Sequence, residues 1–324
     1  MINRFSKKIF IHIGYAKTGT TFLQRQIFQK IDSYIVMEHL DALDFFNPII
    51  NYDSSIYDEK LVLKEYNKFI KPKNIKNKDG LIISNERLEL EGIDVGLIAN
   101  RLKNLFPNSK ILITLREQFD LLQSWYLFKG YSSKYLGKPF KGKYMEINEF
   151  IENGIEKNSN NHIMRLQFHT LFNCYSNLFG KENIYILFFE DIVNKNYKLL
   201  EKFEDIFGCK INFKINRSQK INFRMRNKEL LKHSNYYFNR ELSNYFLHRN
   251  LLAFFINLPF IFIGKSYSPI IRKSSLFEFN KELDGFVPKI SSKNMKFLIK
   301  IYAESNKKLE NLTYLNFKKR GYLN

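Results

Sequence analysis

The segment Gly14-Tyr15-Ala16-Lys17-Thr18-Gly19-Thr20-Thr21 gathers the residue types needed to hold an anion. Glycine lets the backbone approach a bound group closely. A turn after a strand exposes main-chain N–H groups, and a following helix start adds free donors and the positive end of a dipole. Lys17 supplies a mobile positive charge, and Thr20 and Thr21 supply hydroxyl donors. These features predict a cradle for a phosphate-like group. The loop departs from the nucleoside triphosphate pattern, which ends Gly-Lys-Ser/Thr. Here the lysine precedes Thr-Gly-Thr-Thr. No magnesium-binding carboxylate stands out at the end of a later strand, since Asp191 reads as a helix cap or surface residue. A phosphate-loop kinase using ATP and magnesium is the alternative chemistry. No grouping of His, Cys and carboxylate residues has metal-ligand spacing, so no metal is expected.

Two further polar residues close apolar runs. Arg116 follows Lys110 to Leu115, and its planar fork of donors suits phosphate oxygens. Glu86 follows Leu81-Ile82-Ile83 through Ser84-Asn85.

The elements that must position these residues alternate along the chain. Ile9 to Ile13 reads as a buried strand, and Thr20 onward as a helix with Leu23, Ile27 and Ile31 on one face. Leu81 to Ile83, Lys110 to Leu115 and Ile184 to Phe189 read as further strands. Helices are expected over Val95 to Leu105, Phe119 to Phe128, Ile147 to Glu152, Arg165 to Phe179 and Tyr197 to Phe207. Ser33 to Lys78 shows no clear pattern. The alternation predicts an α/β fold: a central parallel sheet with a phosphate-binding loop, helices on both faces and a mostly helical C-terminal part. One domain is expected over 1–324, with a nucleotide-binding core at 1–209 and a mainly helical part at 210–324.

Ile13 to Gln24, IGYAKTGTTFLQ, resembles the 5′-phosphosulfate-binding loop of sulfotransferases that use 3′-phosphoadenosine 5′-phosphosulfate (PAPS). The resemblance implicates Lys17, Thr18, Gly19, Thr20 and Thr21. Ile111 to Tyr126, ILITLREQFDLLQSWY, resembles that family's 3′-phosphate motif, a strand ending in Arg and a helix carrying Ser about two turns later. Arg116 and Ser124 match it. PAPS has two separated anionic ends, whereas ATP lacks the 3′-phosphate. Gln118 stands where the family often has Pro, a change expected to alter only the helix start. Ile184 to Asp191, IYILFFED, is similar to a later strand of the family, with Glu190 and Asp191 expected as structural caps.

The resemblance implies sulfuryl transfer from PAPS to a hydroxyl group, without a metal, leaving adenosine 3′,5′-bisphosphate. It gives Lys17 the leaving-group role and Glu86 the role of general base. A carbohydrate, glycan or glycolipid acceptor follows from Glu86 as base and from the basic loop Lys129 to Lys143.

The chain has 324 residues, 44% of them hydrophobic, enough for one large α/β domain. A formal charge of +20 favours anionic partners. No nucleic-acid-binding module is recognisable, so nucleic acid is not expected as a partner. Cys174 and Cys209 form neither a disulfide framework nor a zinc site, which suits a reducing, cytoplasmic compartment. Met1 to Lys8 leads into a stretch broken by His12, Gly14 and Lys17, a poor signal peptide. Leu251 to Ile263 is apolar but shorter than the ~20 residues a spanning helix needs. Flanked by Arg249, Lys265, Arg272 and Lys273, it is a candidate for peripheral contact at the inner face of the membrane.

Overall fold

The computed structural model describes residues 7–73, 75–89, 94–128, 147–155, 162–193, 197–211 and 289–323. The segments Leu251 to Ile263 and Lys129 to Lys143 lie outside these residues. The chain divides into two compact units, one of Met1–Leu121, Arg165–Ile221 and Ile299–Asn324, the other of Leu122–Met164 and Asn222–Leu298.

The first unit contains a five-stranded parallel sheet: β1 (Lys8–His12), β2 (Tyr34–Glu38), β3 (Gly80–Ser84), β4 (Lys110–Leu115) and β5 (Ile184–Phe188). The strand order is β2-β3-β1-β4-β5. β1 lies at the centre, with His12 opposite Ser84 on one side and Leu112 on the other. The loops after β1, β3 and β4 carry Gly14 to Thr21, Glu86 and Arg116, so all three leave the carboxyl edge where open parallel sheets bind ligands.

The apolar runs are continuous because both faces of the sheet are covered. Ile9, Phe10 and Ile11, Leu81, Ile82 and Ile83, and Ile111, Leu112 and Ile113 are all buried. On one face Phe10, Ile82, Leu112 and Leu187 pack with Leu23, Ile27, Phe28 and Ile31. Leu199, Phe203, Ile206 and Phe207 of the helix Tyr197–Phe207 complete that cluster. The helix Phe168–Phe179 lies against β4 and β5, and the helix Val95–Leu105 packs against it in turn. These are the sheet and the flanking helices that the sequence pattern predicts.

Two local features differ from the reading of the sequence. β2 falls within the stretch that showed no pattern. It pairs only with β3, and its short apolar run closes on the charged, half-buried Glu38. The helix after the phosphate loop is also not uniform. An α turn (α1, Thr20–Phe22) passes into a wider π turn at Leu23–Ile27 and then a 3-10 turn at Phe28–Lys30. Leu23, Ile27 and Ile31 still share the buried face. Among the described residues no helix is long and apolar enough to cross a membrane.

Phe10 sits at the middle of the sheet, its ring 5.7 Å from that of Tyr34 and 4.7 Å from that of Phe207. Phe10→Ala is expected to lower the unfolding free energy by about 3–5 kcal/mol, the cost of a buried aromatic truncation. Urea denaturation checks this.

Candidate active site

The chain leaves β1 through Ile13 and Gly14 and stays laced to β4. Ile13 N–H donates to the Leu112 carbonyl at 2.9 Å and Tyr15 N–H to the Thr114 carbonyl at 3.4 Å. Gly14 leaves no room for a side chain, since a Cβ there would lie 1.6 Å from Thr114 Oγ1. Lys17 has φ 70° and Gly19 φ 86°, both left-handed, while Thr18 between them is not. Alternation of this kind turns successive N–H groups into one concavity. A lysine in the left-handed region costs about 1–2 kcal/mol, so its neighbours must hold it there. Thr18 does so, with its N–H and its hydroxyl both donating to the Tyr15 carbonyl. Gly19 then caps the helix start, and its carbonyl accepts from Leu23 N–H. Thr20 is buried and Thr21 exposed.

Beneath the loop runs a chain of side-chain hydrogen bonds. Thr18 Oγ1 meets Thr114 Oγ1 at 2.7 Å, and Thr114 Oγ1 meets His12 Nε2 at 3.4 Å. His12 Nδ1 meets Ser84 Oγ at 2.8 Å, and Gln24 Nε2 donates to Ser84 Oγ at 3.0 Å. Counting protons sets the direction. Thr18 gives its proton to the Tyr15 carbonyl, so Thr114 must donate to Thr18. His12 Nε2–H then donates to Thr114, and Ser84 donates to His12 Nδ1. The chain therefore requires a neutral imidazole protonated on Nε2. Burial imposes the same state: desolvation lowers the His12 pKa from 6.5 to about 3. Thr114 stands two residues before Arg116 and Ser84 two before Glu86, so this crossbar ties together the three loops of the site.

Glu86 opens a short turn, Glu86–Glu89, just beyond β3. Its Oε2 accepts a hydrogen bond from Thr20 Oγ1 at 2.7 Å. The carboxylate expected to act as base is thus joined directly to the phosphate loop. Asn85 beside it accepts from Arg87 N–H, and its amide lies 3.1 Å from His39 Nδ1. Arg87 Nη1 lies 3.2 Å from His39 Nε2. Burial and the Arg87 charge lower the His39 pKa, while Glu86 acts in the opposite sense.

Arg116 leaves the end of β4 and reaches the loop from the other side. Its Nη1 donates to the Lys17 carbonyl at 3.3 Å, and its guanidinium lies 4.6 Å from the centre of the Phe189 ring. Asp120 is 3.6 Å from Nη2 and half exposed. Nε is buried and meets no hydrogen-bond acceptor among the described residues. A half-buried guanidinium with an unmet donor keeps capacity for an anion. Phe189 also bounds the loop, since a Cβ on Gly19 would come 3.1 Å from its ring. Ser124 lies farther along the helix Gln118–Phe128, in the second unit.

Gln118 does more than alter the start of that helix, which corrects the expectation for this position. It is fully buried, and its amide exchanges two hydrogen bonds with the amide of Asn306, at 2.6 and 3.2 Å. The helix start is held instead by Glu117, whose carboxylate accepts from Phe119 and Asp120 N–H.

A model of the sulfotransferase domain matches residues 6–249, which include every residue named at this site except Asn306. The chain belongs to the sulfotransferase domain family. Solved structures show a weaker likeness to this sulfotransferase. One is a sulfotransferase from Alicyclobacillus acidocaldarius, at 16% identity over 77% of this chain and 99% of that one, with a TM-score of 0.43. Another is the sulfotransferase domain from the curacin biosynthetic pathway, at 15% identity over 71% and 78%, with a TM-score of 0.42. A third is mouse sulfotransferase SULT7A1 complexed with PAP, at 13% identity over 93% and 85%, with a TM-score of 0.41. No curated protein matches the sequence. The family match favours sulfuryl transfer over the kinase alternative.

Several residues of this candidate site escape a reading of the sequence. Thr114 and Ser84 look like ordinary strand residues until the register shows that they share a face with His12. Phe189 follows β5 as one more aromatic.

The neutral state of His12 carries a pH dependence. In the unfolded chain the imidazole binds a proton near 6.5, while in the folded chain it does so only near 3. Its contribution is whole above 6.5 and is lost as the pH falls toward 3. His39 and His169, both lowered by burial, act in the same sense. Between about pH 7 and about pH 5 the native protein is expected to lose about 2 kcal/mol more unfolding free energy than His12→Gln. Urea titrations at the two pH values measure the difference.

Proposed function

We propose that this sulfotransferase transfers a sulfuryl group from PAPS to a hydroxyl group on a carbohydrate, glycan or glycolipid, with Glu86 as base and Lys17 at the leaving group. The single observation that carries this reading is the hydrogen bond from Thr20 to Glu86, which joins the phosphate loop to a carboxylate at the carboxyl edge of the sheet. Bound PAPS supplies an activated sulfuryl group and a phosphate that leaves. In this reading Lys17, Thr18, Gly19, Thr20 and Thr21 hold its 5′ end, and Arg116 with Ser124 hold its 3′-phosphate. The family match supports the donor. The left-handed Lys17 and Gly19, which turn successive N–H groups into one concavity, support a close anion.

The roles follow from charge and protons. Glu86 takes the proton of the acceptor hydroxyl, and Thr20 keeps the carboxylate oriented toward the loop. Lys17 and the N–H concavity meet negative charge as it builds on the leaving oxygen. Arg116 supplies a planar pair of donors to the far phosphate. A cytoplasmic setting, with peripheral membrane contact through 251–263, fits a glycolipid acceptor.

Glu86→Gln is expected to bind adenosine 3′,5′-bisphosphate as the native enzyme does and to lose about 10²–10⁴-fold in transfer rate. Full activity in that variant removes Glu86 from the role. Arg116→Ala is expected to weaken bisphosphate binding about tenfold or more in buffer containing EDTA, read by calorimetry. Radiolabelled PAPS offered with panels of glycans and glycolipids tests the acceptor class, and label in neither panel rejects it.

A further inference from the structure

The C-terminal segment lies beyond residues 6–249, which the family model matches, yet it reaches the floor of the site. The helix Ser292–Thr313 carries Asn306, fully buried, which pairs with Gln118 and also donates to the Leu323 carbonyl at 2.7 Å. After that helix the chain folds back, with Phe317 N–H held by the Glu310 carboxylate. Phe317 and Tyr322 stack edge-on with each other and with Phe188 at the end of β5. Arg320 forms an ion pair with Asp191, with Nε 3.1 Å from both carboxylate oxygens, and lies over the Phe188 ring.

The decisive link is Glu190. Tyr322 Oη donates to Glu190 Oε2 at 3.0 Å, and Glu190 Oε1 accepts the N–H of Glu117 at 2.9 Å. Glu117 is the residue next to Arg116. Between Phe188 and Glu190 stands Phe189, whose ring lies under the Arg116 guanidinium and against Gly19. The tail therefore grips both neighbours of Phe189 and, through Glu190 and Gln118, both residues that follow Arg116.

We propose that the segment from Asn306 to Leu323 is a strap that positions Arg116 for the 3′-phosphate of the nucleotide, with Tyr322 and Asn306 as positioning residues, an inference that rests on the reading of Arg116 as a nucleotide-binding residue. Tyr322 touches no nucleotide. It fixes Glu190, Glu190 fixes the Glu117 amide, and the turn that aims Arg116 has one conformation as a result. Without the hydroxyl the turn samples others, and the guanidinium meets the phosphate only part of the time.

Tyr322→Phe keeps the ring packing and removes only the bond to Glu190. Tyr175→Phe is the control, because Tyr175 is fully buried and its hydroxyl meets no hydrogen-bond partner among the described residues. Calorimetry with adenosine 3′,5′-bisphosphate is expected to show about threefold to tenfold weaker binding for Tyr322→Phe, the worth of one hydrogen bond, and no change for Tyr175→Phe. Tyr322→Phe is expected to melt below Tyr175→Phe, since only it loses a buried hydrogen bond, so binding is compared well below both melting temperatures, where each variant is folded. In an Arg116→Ala background Tyr322→Phe should have no further effect, because its action passes through Arg116. Unchanged binding in Tyr322→Phe, or an equal loss in both backgrounds, overturns the strap. Should Arg116→Ala itself bind as the native protein does, the nucleotide reading falls and the strap with it. Should Arg116→Ala weaken binding while Tyr322→Phe does not, the strap alone falls.

Discussion

A neutral imidazole locked between two strands is the constraint on which the site depends. His12 sits on the central strand, with Ser84 of β3 on one side and Thr114 of β4 on the other. Each hydroxyl in the chain has one proton to give, so the direction from Gln24 to Tyr15 is forced once Thr18 bonds the Tyr15 carbonyl. A second proton on His12 would face Ser84 with a donor where an acceptor is needed. Full burial keeps that proton off. The phosphate loop, the turn after β3 and the turn after β4 thereby share one rigid frame. The strained backbone at Lys17 persists because Thr18 is tied into that frame.

The hydrogen bonds of the neighbouring acids bear on Arg116 as well. Glu117 and Glu190 lie beside Arg116, and burial raises the pKa of both. The Arg116 charge acts on both, yet among the described residues neither forms a close ion pair with the guanidinium. Glu117 accepts two N–H groups at the helix start, and Glu190 accepts the Glu117 amide and the Tyr322 hydroxyl. Among the described residues the ion pair of Arg116 is with Asp120, at 3.6 Å and half exposed. Such a contact is weak in high dielectric. Carboxylates committed to backbone donors leave a nearby cation able to receive an anionic ligand, even where acids crowd around it.

The legible parts of the fold were those whose signal is local. Four of the five strands carry strongly apolar runs, buried on both faces in β1, β3 and β4, so they stand out in the sequence, and Val95 to Leu105 shows its helical period from end to end. β2 lacked that signal because its short apolar run closes on the charged Glu38, within a stretch of mixed composition. The π turn was hidden because Leu23, Ile27 and Ile31 keep the spacing of an ordinary helix. Gln118 was misjudged for a related reason. Read by itself it is a residue at a helix start, while its partner Asn306 is 188 positions away.

By itself the sequence determined which chemistry is on offer: a glycine-bearing loop after a strand, a lysine and threonines within it, an arginine and a glutamate at the ends of two other strands. These are matters of residue type and short spacing, and the backbone obeys them locally. Tertiary structure alone decided that Thr20 meets Glu86, that Arg116 meets the carbonyl of Lys17, and that His12 carries its proton on Nε2. Those outcomes depend on sheet order and register, which set the elements that face one another. A hydrogen bond between residues far apart in the chain has no periodic trace in the sequence.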